Sequence, residues 1–329
     1  MLKKILFWSN AARSYSFPMS VMSWSVPFLF AILDGGKFLY GIIALIGIVF
    51  AHAGVNLFDD YIDFKLAAKS NKHSKNYNLQ RGKCHYLLNG SATLNQLLTV
   101  VFICFSIALC CGMFLTFKTN IMVIYLTAVA AIICLLYPVL SFVALGEAAV
   151  AVTFSPLLYT GVYFVMTMSF SSELIPIAIS TGLLTVGLLH AHMFLDIDFD
   201  KANRKNTICR LAGSKKNAVI NQLIIMLAAY LNIIICCTLG FLPKMYLISF
   251  LSLPTAIVLY ETMNTYIKEP NKKIHTNIFF GFLENLQKYE QRDNLNFMII
   301  FLTARNVMVE FTALICIAKI LLELTNVYF

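Results

Sequence analysis

The sequence predicts an all-α protein that crosses a membrane many times, and three observations carry that prediction. Of the 329 residues, 59% are hydrophobic and only 12% charged, about half the charged share of an ordinary soluble domain. Apolar segments long enough to cross about 30 Å of hydrocarbon recur along the chain. The basic residues gather in alternate connections between those segments. Nine spans are expected, at 18–34, 38–58, 94–117, 121–137, 139–167, 174–195, 218–242, 245–263 and 297–327. With the N-terminus inside, one face collects 20 Lys and Arg and the other 3. The positive-inside rule then places the N-terminus in the cytoplasm and the C-terminus outside, and the expected location is a bacterial cytoplasmic membrane. The formal charge of +9 therefore signals orientation and anionic ligands, not nucleic acid.

Residues 1–17 interleave basic and aromatic side chains, which predicts a short interfacial helix with Phe7 and Trp8 at headgroup level. The apolar stretch in MLKKILFW is too brief for a cleavable signal peptide. Pro18 and Pro27 are expected to bend or shorten the first span. The second span runs into AHAGVNLFDDYIDF, 51–64. On a helix, Asn56, Asp60 and Asp63 fall at i, i+4 and i+7, so one stripe carries an amide and two carboxylates, with His52 one turn earlier. Buried carboxylates are costly unless paired or bound to a cation, which makes the cluster a functional-site hypothesis. The bland alternative is a solvated acidic helix end.

The following loop, 65–93, is rich in Lys, Asn and Ser. It is either a solvated connector or a lid whose cations, Arg81 and Lys83 above all, meet an anion at the site. Pro138 supplies the only break between the fourth and fifth spans. Glu147 either touches a ligand or compensates a helix N-terminus. Tyr159, Tyr163 and Phe164 either pack in the core or line a pocket.

The sixth span ends in LLHAHMFLDIDFDKANRK, 188–205. Asp196 and Asp200 share a face, His192 lies one turn before them, and Asp198 points elsewhere. Six of the chain's 16 acidic residues fall in these two stretches, and the span count puts both on the cytoplasmic side. The loop 264–296 shows no obvious chemistry, with an amphipathic surface helix expected through 284–291. Arg305 and Glu310 in the last span lie too far round one helix to pair, so partners on other helices are expected. The nine cysteines include no CxxC pair and read as small buried apolar residues.

Two acidic stripes on one side of a membrane bundle, followed by Lys201, Arg204 and Lys205 in one case and Arg81 and Lys83 in the other, suit a divalent cation that bridges to an anion. Mg²⁺ fits best, since it takes carboxylate and phosphate oxygens together. No cysteine in either stretch, and a single histidine, His52 or His192, one turn before each aspartate pair, argue against zinc. A GxxxxGK[ST] loop is missing, which argues against a nucleotide hydrolase. A diphosphate held before an apolar cavity suggests a lipid diphosphate.

Asn56, Asp59, Asp60, Tyr61 and Asp63 form one motif, and Asp196, Asp200, Lys201, Arg204, Lys205 and Thr207 a second. On these, together with ARSYSFPMSV at 12–21 and LGEAAVAVTFSPLLYTGVYFV at 145–165, the sequence resembles the UbiA superfamily of intramembrane prenyltransferases. Within it the chain is most similar to the 1,4-dihydroxy-2-naphthoate prenyltransferases. The resemblance covers the chain to about residue 240. Departures are Asp59 for the usual Asn, Leu195 for an Arg, His192 for an Asn, and no acidic residue a turn or more after Asp63.

The resemblance implies one prenyltransferase domain, 1–329, built as a helical bundle around a central cavity. It implies Mg²⁺ on Asn56, Asp60, Asp63, Asp196 and Asp200, binding a prenyl diphosphate whose charge Lys201, Arg204 and Arg81 or Lys83 offset. Asp59 and Tyr61 would contact substrate. His52, His192 and Tyr61 would orient or deprotonate an aromatic acceptor, and a naphthoate acceptor would lose its carboxylate as carbon dioxide. Expected partners are the prenyl diphosphate, the acceptor and the bilayer, with no nucleic acid and no obligate protein partner. The alternatives are another acceptor (a hydroxybenzoate, haem or a secondary-metabolite phenol) and, more remotely, a transporter or an inactive scaffold. The Asp-Gly-x-x-Ala-Arg signature of CDP-alcohol phosphotransferases is absent.

Overall fold

Helix ends in this chain are set by local chemistry, and several fall away from the hydropathy boundaries. The structure, a computed structural model, describes residues 2–70, 84–202, 206–270, 272–284, 286–290 and 295–328. Helix α1 (Leu2–Ala11) is the expected surface helix. Arg13 then takes a left-handed conformation (φ 59°, ψ 52°), and a 3₁₀ turn at Ser14–Ser16 leads into α2 (Phe17–Leu33). Pro18 sits in the first turn of α2, where its missing N–H costs nothing. Helix α2 continues through Pro27.

Helix α3 (Phe38–Ser70) is 33 residues long, so the helix persists past the expected span end at 58 and into the segment expected to be loop from 65. The three aspartates lie in its interior. After the short α4 (His85–Leu88), a capping box of Thr93 and Gln96 starts α5 (Leu94–Lys118).

Pro138 is not the break between the fourth and fifth spans. It lies in the last turns of α6 (Met122–Leu140), and the chain turns at 141–145, where Ala144 has φ 58°. The fifth span therefore begins at Gly146. It comprises α7 (Gly146–Val152), a π segment at Thr153–Leu157 around Pro156, and α8 (Leu158–Thr167). A π turn is the usual way to absorb an irregularity inside a helix, here at a proline.

Helix α9 (Leu174–Leu195) stops at Asp196, and α10 (Ile197–Ala202) resumes at once. The Asp200 N–H still bonds the Asp196 carbonyl at 2.8 Å, so the two aspartates keep their one-turn relation across the break. Thr207 caps α11 (Ile208–Leu211) and Ser214 caps α12 (Lys215–Thr238). A 3₁₀ stretch, Lys244–Ser252, runs into α13 (Leu253–Lys268). The expected surface helix at 284–291 is found as α14 (Leu286–Glu290), and α15 (Leu295–Tyr328) closes the chain.

Among the described residues, eight helical segments are long and apolar enough to cross a membrane, as fits an integral membrane protein. They correspond to the first eight expected spans. The ninth expected span is helical as α15 but is not among the eight; it carries Arg305, Glu310, Lys319 and Glu323. The most deeply buried span is α9, which packs on α12, α15 and α7. Glu310 finds the expected partner on another helix, the Thr255 hydroxyl of α13 at 2.6 Å, whereas Arg305 pairs at 2.7 Å with Glu284, which lies in a non-helical segment.

Candidate active site

Asp59 and Asp60, adjacent on α3, are 3% and 1% exposed. Burying two neighbouring carboxylates is affordable only with compensating cations or donors. Arg13 supplies the first, its guanidinium lying 3.5 Å from Asp59 Oδ2 and bonded directly to Asp60 Oδ1. Burial works to lower the Arg13 pKa, but the Asp60 and then the Asp59 carboxylate hold it well above its ordinary value. The Tyr86 hydroxyl donates to Asp60 Oδ2 at 3.1 Å. Burial first, and then the Asp60 charge, push the Tyr86 phenol well up, so it remains a donor. Asp63 is partly buried beyond them.

The turn that carries Arg13 is tied to the same helix. Asn56 Nδ2 donates to the Ala12 carbonyl at 2.9 Å and to Ser16 Oγ at 3.4 Å. His52 sits below, with Nδ1 2.6 Å from Ser20 Oγ and Nε2 3.3 Å from Ser16 Oγ, and its ring lies against Phe17 and Phe154. With both nitrogens engaged, His52 braces α2 on α3. Tyr61 stacks on Phe58 and carries Lys65 over its ring.

The second cluster repeats the burial: Asp196 is 4% and Asp200 1% exposed. His192 Nδ1 lies 3.6 Å from Asp196 Oδ2, its ring edge-on to Phe297 and Phe301. The Thr207 hydroxyl donates to Asp200 Oδ2 at 3.3 Å. Asp198, expected to point elsewhere, is exposed and pairs with Lys215 at 2.8 Å. Lys201 is exposed. Arg81, Lys83, Arg204 and Lys205 lie outside the described residues. Among the described residues no three His, Cys, Asp or Glu side chains converge, so each cluster offers a buried pair and not a closed cage.

An apolar cavity of about 630 Å³ touches the first cluster at Asp59 and reaches His192, beside the second. Arg13, His52, Asn56, Asp59 and His192 border its polar end, and it runs past Ala44, Gly47, Ala108 and Gly112 to Leu115, Val123 and Val165. Along α3, Asp59 to Ala44 is about 22 Å at 1.5 Å per residue. Tyr159, Tyr163 and Phe164 are packed in the core and do not line this cavity, which settles their two readings in favour of packing.

Two site residues, Arg13 and Tyr86, escape sequence reasoning as such, whereas the sequence singles out Glu147 with two readings. Arg13 lies inside the ARSYSFPMSV segment but forty-odd positions from its partners, and Tyr86 sits in a polar loop; neither has a local signal. Glu147 is fully buried at the start of α7, and its Oε1 accepts the Ile208 N–H at 2.9 Å. Beside it, the Asn206 N–H bonds the Phe142 carbonyl at 3.2 Å. Together they stitch the segment holding Thr207, and through it Asp200, to the α6–α7 turn. Glu147→Ala is expected to lower stability by about 1–3 kcal/mol, the cost of removing a buried acceptor. Glu147→Gln, which keeps Oε1, should restore most of it; thermal unfolding in detergent measures both.

Apolar helices that bury two aspartate pairs, with Asp59 of the first pair and His192 beside the second bordering an apolar cavity, define an integral membrane protein with a polar-ended cavity. The chain belongs to the UbiA prenyltransferase family, whose profile matches residues 19–283. A UbiA homolog from Aeropyrum pernix K1 has a similar fold, with a TM-score of 0.57 at 14% identity over 92% of this chain and 98% of that one. A UbiA homolog from Archaeoglobus fulgidus, bound to DMAPP and Mg²⁺, superposes with a TM-score of 0.54 at 13% identity, covering 92% and 98%. A digeranylgeranylglyceryl phosphate synthase gives 0.53 at 16%, covering 93% and 99%. No curated protein sequence matches the chain.

Proposed function

We propose that this protein transfers a prenyl group from a prenyl diphosphate to an aromatic acceptor, 1,4-dihydroxy-2-naphthoate, as a step of menaquinone synthesis. The observation that carries the reading is an apolar cavity whose polar border is made by Asp59 and Asn56 of the first cluster and by His192, which lies beside Asp196 of the second. The head of a prenyl diphosphate needs cations, and its tail needs a dry channel.

The donor set suits Mg²⁺, which is held by one or two carboxylates together with substrate phosphate oxygens and not by an all-protein cage. Asp60 and Asp63 with Asn56 would hold it at one cluster, and Asp196 and Asp200 at the other. When bound, the metal supplies charge stabilisation to the diphosphate as it leaves. Arg13 and Lys201, with Arg81, Lys83 and Arg204 as further basic candidates, offset the same charge from the protein side. The C1–oxygen bond breaks with its electron pair going to the diphosphate, and the apolar cavity keeps water from the allylic cation. A ring carbon of the acceptor attacks C1, and its carboxylate leaves as carbon dioxide, restoring aromaticity. His192, beside Asp196 and partly exposed, is better placed than His52 to meet the acceptor. Asp59 and Tyr61 complete the polar rim. Residues 1–329 form one unit on this reading, with the clusters on the cytoplasmic side of a bacterial inner membrane.

The support for the naphthoate acceptor is sequence resemblance, and one experiment tests it. Purified protein in lipid is given Mg²⁺, a ladder of prenyl diphosphates and 1,4-dihydroxy-2-naphthoate, and products are read by mass. A decarboxylated prenyl naphthol is expected, and EDTA in excess should abolish it. Diphosphate release without naphthol would retain the ionising site and reject the acceptor; neither product from folded protein would reject the reaction.

A further inference from the structure

Residues 272–284, between α13 and α15, lie outside every span, yet their hydrogen bonds place part of them at depth. At the upper end the Ile274 N–H bonds Asn296 Oδ1 at 3.3 Å, and Asn296 Nδ2 donates to the Pro270 and Lys272 carbonyls at 3.2 and 2.8 Å. Lys273 reaches Glu290 there at 2.5 Å. At the lower end Asn306 Nδ2 donates to the carbonyls of Phe280 and Phe282 at 2.8 and 2.9 Å, and Arg305 donates to the Phe282 carbonyl at 3.2 Å. Asn296 and Asn306 are ten residues apart on α15, about 15 Å at 1.5 Å per residue. The chain therefore runs along α15 from Asn296 to Asn306 and turns there, with Glu284 still at that level, paired with Arg305.

The turn is Gly281, with φ 69° and ψ −157°, a region open essentially to glycine alone. A Cβ there would stand 2.7 Å from a Glu310 carboxylate oxygen and 2.8 Å from the Asn306 amide nitrogen. Glu310 in turn accepts from Thr255, six residues before the exposed Glu261 on α13. The tip thus lies about 9 Å along α13 below Glu261, level with a stretch where Ile257 faces outward. Around the tip Ile278, Phe279 and Phe282 are 85%, 52% and 73% exposed.

We propose that residues 277–283 form a re-entrant loop inserted into the bilayer from the aspartate side, with lipid acyl chains as its partner. Three large apolar side chains on one seven-residue turn continue the outward apolar surface of α13. Non-helical backbone is tolerated in hydrocarbon only where its polar groups are satisfied by protein. Asn306 and Arg305, from the facing part of α15, supply those donors to the Phe280 and Phe282 carbonyls on either side of the Gly281 turn. The proposal does not depend on the reaction assigned above.

Tryptophan quenching tests it. Phe279→Trp and Phe282→Trp, both at outward positions that tolerate a larger ring, are compared in phosphatidylcholine vesicles with Lys273→Trp at the root of the loop; the signal of the native Trp8 and Trp24 is subtracted. Acyl-chain-brominated lipid should quench the added tryptophan at 279 and 282 at least twofold more than at 273, and aqueous iodide should show the reverse order. Iodide quenching at 279 and 282 equal to that at 273, or no quenching by brominated lipid, overturns the proposal.

Discussion

Asn in place of Asp60 or Asp196 should cut prenyl transfer by about 10²–10³-fold, the usual cost of losing one electrostatic contact to developing charge. Each substitution keeps the shape of the side chain and an oxygen that accepts, from Tyr86 in the first case, and removes only the negative charge. Both carboxylates are almost wholly buried, so the lost charge is not replaced by water. Asp198→Asn provides the control within the same stretch, because Asp198 is exposed and engaged with Lys215. Single-turnover product formation at saturating Mg²⁺ is the measurement. Activity near wild type in either buried variant would remove the clusters from the mechanism; loss of activity in Asp198→Asn as well would point to misfolding of the segment.

Arg13→Ala should destabilise the metal-free protein by about 2 kcal/mol. Removing one partner of a buried ion pair costs 3–5 kcal/mol where the other is stranded, and here Tyr86 still serves Asp60. Pairing with Asp60→Asn in a double-mutant cycle should give a coupling of about 1–2 kcal/mol between the two sites. The deficit of Arg13→Ala should shrink when Mg²⁺ is added, since cation and guanidinium then neutralise the same carboxylates. Thermal unfolding in detergent, with and without Mg²⁺, reads all of these. A deficit unchanged by Mg²⁺ would separate Arg13 from the proposed metal site.

Both clusters were legible because they are local. Carboxylates at i, i+4 spacing inside apolar runs announce themselves in any helix, and the same hydropathy that flags them gives the first eight spans. Boundaries were less legible where backbone chemistry, not hydropathy, decides them. Helix α3 persists to Ser70 although its sequence turns polar after Phe64, and the break after the fourth span follows Ala144 and not Pro138. Least legible were features made of distant residues. Arg13 meets Asp59 and Asp60 only once α2 is folded against α3, and Glu147 meets Ile208 across 61 positions. The descent of 272–284 is written in Asn296, Asn306 and Arg305, none of which looks like part of a loop. Tyr159 and Tyr163 had the spacing of a pocket wall, but helix rotation turned them inward.

The aspartates of the first cluster stand on the flank of a long unbroken helix, whereas Arg13 hangs from a single left-handed residue between α1 and α2, steadied by Asn56 on the Ala12 carbonyl. One half of the ion pair is thus anchored to a stiff rod and the other to a crank. The seating of α1 and the grip of Arg13 on Asp59 and Asp60 are therefore coupled, because Arg13 directly follows the Ala12 carbonyl that Asn56 holds.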